Sequence, residues 1–221
     1  GRARMIRTTL SRTNIAAIMQ YPVTRFEPLS EQPLGSVSRA FFDHENRKLI
    51  TAVNYPGEFA RIVSIDAETW QMTTLAEVDT PALYYVTSLA YDPQSRTVFF
   101  TTDNSRQWRD INAVDLETGK LTVLGKNLRT GDLAFNQGDR SLWGVQHHNG
   151  LSTLVRLTHP YRGWEDLSPV LSLPYGKDIF DIDISPDGRH LTASMIEVSG
   201  RQRLIRMKTE DLLAGDSGYE V

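Results

Sequence analysis

The side chains best suited to chemistry in this sequence are a histidine pair, His147 and His148, and a group of carboxylates, Asp178, Asp181 and Asp183. Imidazole titrates near neutral pH and ligates metals. Adjacent side chains of an extended segment point to opposite faces, however, and no cysteine or third histidine stands at ligand spacing, so the pair is not read as a metal centre. Asp181 and Asp183 alternate with Ile182 and Ile184, which places both carboxylates on one strand face. That arrangement suits acid/base work or calcium, and it equally suits the wall of a solvated channel. Gly35-Ser36-Val37-Ser38-Arg39 lacks the closing glycine of a nucleophile elbow, and a strand follows where that motif needs a helix. There is no His-Glu-x-x-His pattern, phosphate loop or dinucleotide-binding glycine pattern. On these grounds no catalytic residue, cofactor or metal is assigned.

The elements that must position these groups form a repeat. Residues 40–49, 89–98, 133–142 and 182–191 align without a gap, and the shared Arg47, Arg96, Arg140 and Arg189 lie 49, 44 and 49 residues apart. Each copy has an apolar strand, a short polar turn and a second strand such as 97–102 or 142–145. A third strand follows at 61–66 and 110–115, then a turn carrying Glu68-Thr69 or Glu117-Thr118, then a fourth strand at 72–75 or 121–124. Four antiparallel strands in a period of 44 to 49 residues match β-propeller blades. A β-sandwich is the alternative, but it supplies no reason for a fourfold self-match. The expected fold is all-β, a propeller fragment of about four four-stranded blades at 36–78, 86–127, 131–173 and 180–221, within a region spanning 21–221.

Ile182-Asp183-Ile184-Ser185-Pro186-Asp187-Gly188-Arg189 resembles the strand, Ser-Pro-Asp-Gly turn and strand of TolB-type, WD-repeat-like bacterial propellers. The full motif occurs once, and the turns at 43–46, 92–95 and 136–139 depart from it. The resemblance implies closure with six to eight blades, so the array is expected to be incomplete in this chain. It also permits an accessory or gating propeller of a peptidase-type hydrolase whose catalytic domain lies outside the chain. A bacterial envelope or periplasmic location fits the resemblance, and the absence of cysteine fits it equally with a reducing compartment.

In a four-stranded meander, the connections between strands two and three emerge on the same face as the blade-to-blade links. That face collects 54–59, 103–108, 147–150 and 197–201, together with 80–85 and 174–178. These segments are rich in Tyr, Trp, His, Asn and Arg, which binding surfaces favour, although the same rings could brace the loops. The ligand-contact candidates are Tyr55, Asp103, Asn104, Trp108, His147, His148 and Tyr175. Arg39, Ser88, Asp132 and Asp181 occupy equivalent positions on the innermost strands and are expected, with Asp183, to line the channel. The function expected is a non-catalytic binding or scaffold module that contacts a protein or peptide, or a glycan. An enzyme acting through Asp181 and Asp183 at the channel mouth is the weakest alternative.

A net charge of -3 offers no global attraction for nucleic acid. In residues 1–20, Met5, Ile6, Leu10, Ile15, Ile18 and Met19 recur at mixed three- and four-residue steps among arginines, which predicts a helical segment ended by Tyr21-Pro22. A basic amphipathic helix can lie on an anionic membrane. The reading adopted is the end of a preceding domain packed against the propeller.

Overall fold

The computed structural model describes residues 36–79, 86–102 and 108–221. The helix expected at 1–20 and the candidates Asp103 and Asn104 lie outside them. Strands β1 (Ser36–Val37), β2 (Phe41–Asp43), β3 (Lys48–Asn54), β4 (Ala60–Asp66) and β5 (Met72–Val78) form the first blade. Both β1 and β2 pair with β3, so they are two halves of one inner strand broken at residues 38–40. The second blade is β6 (Val86–Asp92), β7 (Thr97–Thr102), β8 (Ile111–Asp115) and β9 (Leu121–Gly125). The third is β10 (Thr130–Asn136), β11 (Ser141–His148), β12 (Leu151–Leu157) and β13 (Leu167–Ser172). The fourth has three strands, β14 (Lys177–Ile184), β15 (His190–Glu197) and β16 (Gln202–Lys208), then helix α1 (Thr209–Leu213). A bridge between Arg206 and Glu220 stands where its fourth strand would lie. All neighbouring strands are antiparallel, and the architecture is a four-blade propeller arrangement.

The blades hold together because their middle strands are apolar on both faces. On β7, Val98 and Phe100 join Ile50, Ile62 and Leu89 in the core between the first and second blades. Phe99, on the opposite face, joins Leu133, Phe135 and Leu142 in the core between the second and third, stacking on Phe135 at a centroid separation of 5.5 Å. Trp143, Val145 and Leu154 meet Ile179, Leu191, Ala193 and Met195 between the third and fourth. The alternation reduces to one face on β15, where Leu191, Ala193 and Met195 are buried while His190, Thr192 and Ser194 are only half-buried.

A second set of ties lies at the hairpin turns. Arg47, Arg96 and Arg140 all adopt the left-handed backbone, with φ of 53°, 51° and 58°. This conformation costs a non-glycine residue about 1–2 kcal/mol. In two copies it aims the guanidinium at the blade before: Arg96 pairs with Asp43 at 2.8 Å, and Arg140 with Asp92 at 2.6 Å. The fourth turn differs, because Gly188 takes the left-handed position at φ 74° and Arg189 turns to its own Asp187 at 2.8 Å. Asn136, where the earlier blades have aspartate, accordingly donates its amide to the Gly188 carbonyl at 3.1 Å.

Candidate functional site

The equivalent positions Arg39, Ser88, Asp132 and Asp181 all fall where an inner strand loses its regular register. The shifts lie between Val86 and Ser88, Gly131 and Ala134, and Phe180 and Asp183, and in the first blade the strand breaks outright. Bulges re-aim side chains. Asp132 and Asp181 adopt positive φ, 48° and 52°, a conformation that aspartate tolerates better than most residues. The re-aimed groups tie neighbouring inner strands together. The Ser88 hydroxyl accepts the Leu133 N–H at 2.6 Å, whereas the Asp132 and Asp181 carboxylates of adjacent inner strands stand close enough to repel. Arg39 donates to the Ile182 carbonyl at 3.1 Å and lies 3.4 Å from the Asp183 carboxylate, so it links the first inner strand to the fourth.

Burial and the neighbouring Asp181 carboxylate push the Asp132 carboxyl above its ordinary value, while Arg109 and His147 pull it back. A carboxyl raised in the folded state contributes stability below its unfolded value and loses that contribution as pH rises through the folded one. Ionised Asp132 therefore costs stability at neutral pH. Asp132→Asn, which keeps the side-chain shape, removes the charge and suits positive φ, is expected to raise Tm at pH 7 by about 2 °C. The difference should shrink on acidification and vanish below about pH 3, where the aspartate is neutral in the folded and the unfolded chain alike; scanning calorimetry at the two pH values checks this.

On the loop-bearing face, His147 lies at the end of β11 opposite Ser152, and His148 opposite Leu151. The two imidazoles thus alternate along the strand. The Ser152 hydroxyl, 3% exposed, donates to Asp178 and lies 3.2 Å from His147 Nδ1, which is itself 3.9 Å from the Asp178 carboxylate. In a nucleophilic triad the imidazole stands between hydroxyl and carboxylate. Here the hydroxyl stands between the other two, so its proton is committed to the carboxylate and the arrangement orients the imidazole. Among the described residues, no three His, Asp or Glu side chains converge as metal ligands.

Trp108 and Tyr175 are the open aromatic groups of this face, 54% and 82% exposed. The Arg129 guanidinium lies over the Trp108 ring, 3.6 Å from its centroid, and the Tyr175 ring edges toward Gly150. Tyr55 is placed otherwise: it is buried at 5% exposure with Val53, Val63 and Ile65, under the Arg61 guanidinium at 5.5 Å. The Asn54-Tyr55-Pro56-Gly57 loop reads as surface, but its ring folds back into the first blade and braces it.

Arg109 and Arg129 carry no motif and were not singled out from the sequence. The Arg129 N–H bonds the Arg109 carbonyl at 3.2 Å, and the His147 N–H bonds the Arg129 carbonyl at 3.2 Å, so the three lie side by side. Asn127 and Arg129 both have positive φ, 58° and 56°. Such strain in non-glycine residues is concentrated at functional sites.

No protein-family model matches the chain, and no curated protein matches it. Solved structures do. TolB from Acinetobacter baumannii superposes with a TM-score of 0.66 at 10% identity, over 85% of this chain and 44% of that one. Puromycin hydrolase gives 0.60 at 13% identity, over 84% of this chain and 29% of the hydrolase. A chain of a nidogen/laminin complex gives 0.57 at 12% identity, over 80% and 67%. This chain thus spans less than half the TolB chain and under a third of the hydrolase. The fold is a TolB-like β-propeller. No helix among the described residues is long and apolar enough to cross a membrane.

Proposed function

We propose that the chain is a non-catalytic binding module that engages a protein or peptide through the face bearing Trp108, His147 and Tyr175. The observation that carries this reading is the exposure of Trp108 and Tyr175 on a scaffold whose inner strands are tied blade to blade. Rigid placement lowers the ordering cost of binding, and large aromatic groups dominate interface energetics. A glycan is the second ligand class compatible with exposed rings. The similarity to a chain of a nidogen/laminin complex supports a protein partner, and the resemblance to bacterial propellers supports an envelope location.

The triple variant Trp108→Ala, His147→Ala, Tyr175→Ala is expected to weaken partner capture at least tenfold, about 1.4 kcal/mol. His44→Ala with Glu45→Ala, on the opposite turns, should leave capture unchanged. Retention of every partner by the triple variant would place the interface elsewhere.

The similarity to puromycin hydrolase favours a second reading, in which the propeller gates or orients substrate for a hydrolase domain of the same protein. Flanking sequence discriminates: a serine-hydrolase or zinc-peptidase motif supports it, and flanks without either oppose it.

A further inference from the structure

Among the described residues, two half-buried guanidinium groups on this face, Arg109 and Arg129, make no salt bridge or side-chain hydrogen bond, and the Asp132 carboxylate acts on Arg109 only through space. Most other arginines of the described residues are paired: Arg39 with Asp183, Arg61 with Glu58, Arg140 with Asp92, Arg156 with Asp139. Half-burial without a salt bridge leaves a guanidinium with few waters and with N–H groups still to be satisfied, which favours an arriving anion. Lys126, exposed on the adjoining segment, adds a third cation, and Asp110, whose carboxylate accepts the Asn127 N–H at 2.7 Å, offsets part of that charge.

We propose that Arg109 and Arg129 form an anion subsite that takes a carboxylate of an acidic peptide. This deepens the binding reading above and rests on it. Backbone pairing holds the two residues side by side, and each guanidinium is fixed by something other than a salt bridge. Arg129 is fixed by stacking on Trp108. Arg109 is fixed by lying against Gly131, where an added Cβ would collide with its Nη1. Stacking leaves the in-plane N–H edge of Arg129 open, the edge that accepts a carboxylate in bidentate fashion. It also covers one face of the Trp108 ring and so halves the surface on which a sugar could stack, and this favours a peptide carboxylate over a glycan at this spot. Asp132, beside Arg109, limits the site to ligands that leave that side to a hydrogen-bond donor such as a peptide N–H.

The test uses the 221-residue chain and two fluorescent octapeptides with blocked termini, one alternating glutamate with serine and one glutamine with serine, measured by anisotropy at low salt. The glutamate peptide should bind about tenfold more tightly than its glutamine counterpart. Arg109→Gln and Arg129→Gln should each remove most of that preference, and Arg129→Lys, which keeps the charge but loses the planar fork, should remove part of it. Gly131→Ala is the most specific variant, because it alters no charge and should still weaken binding by displacing Arg109. Arg201→Gln, a distant arginine of the same face, should have no effect, and thermal midpoints report folding for each variant.

Equal affinity for the two peptides, absence of binding to either, or equal losses from Arg201→Gln would overturn the proposal. So would an unaffected Gly131→Ala, or a tetrauronate that binds where the glutamate peptide does not. If the triple variant of Trp108, His147 and Tyr175 loses partners while Arg109→Gln and Arg129→Gln do not, the anion subsite fails and the binding reading survives. If the triple variant loses nothing, the binding reading itself fails.

Discussion

Trp143→Ala is expected to lower the unfolding free energy by about 3–5 kcal/mol, the range for removing a fully buried large aromatic side chain. Trp143 has no exposed surface and stands on β11 facing the fourth blade, against Ile179, Leu191 and Met195. Its indole N–H donates to the Ser141 hydroxyl at 2.8 Å, so truncation removes a hydrogen bond as well as volume. The loss should be local in a repeat array, where stability is a sum of blade and interface contributions. Hydrogen exchange in β14–β16 should therefore accelerate more than in β3–β5, while denaturant titration gives the total. Trp143→Phe should cost less by refilling most of the space. Trp164→Ala, at a position 60% exposed, should change stability by less than about 0.5 kcal/mol. A loss below about 1 kcal/mol for Trp143→Ala would mean that the third and fourth blades do not share this core.

The next largest effect is expected at a turn. Arg140→Ala should cost about 2 kcal/mol in a denaturant titration, because it removes a half-exposed guanidinium from a buried carboxylate and leaves that carboxylate charged. The Asp92 side chain is 2% exposed; without Arg140 it keeps only the Ser95 hydroxyl at 2.6 Å and the Gln94 N–H at 3.0 Å. The third blade shows the remedy, since Asn136 fills the same position where no guanidinium arrives. Asp92→Asn should therefore recover part of the loss in the Arg140→Ala background, though it destabilises the native chain. Arg140→Gly separates the two contributions, because glycine accepts the backbone at φ 58° without strain. It should cost about 1 kcal/mol less than Arg140→Ala. Equal stability of Arg140→Ala and the native chain would reduce the latch to a surface pair.

Much of the blade anatomy was legible because burial imposes periodicity. A strand packed on both faces, such as 97–102, must read as a near-continuous apolar run, and the turns between strands must carry residues that reverse the chain. The gap-free match also placed Arg47, Arg96, Arg140 and Arg189 at equivalent positions of the four copies. Their partners were hidden, since a guanidinium that reaches across a blade boundary meets a carboxylate about one repeat away. The fourth turn shows the same limit: aligned residues alone do not reveal that Gly188 takes the left-handed position and leaves Arg189 with a local partner.

For the candidate site, the residues with obvious chemistry were the easier part. The sequence by itself determined that His147 and His148 point to opposite sides of an extended segment, that Trp108 and Tyr175 lie between strands, and that the carboxylates Asp132 and Asp181 belong to equivalent inner-strand positions. These follow from a period of two and a blade-length repeat, which are local rules, whereas the loop expected at 147–150 begins as the end of β11. Only the tertiary structure decided that Ser152 stands between His147 and Asp178, that Tyr55 folds inward, and that Arg109 and Arg129 are held side by side with Arg129 stacked on Trp108. Those relations depend on bulges, positive-φ residues and contacts between blades, which set the direction of a side chain after the strand order is already fixed.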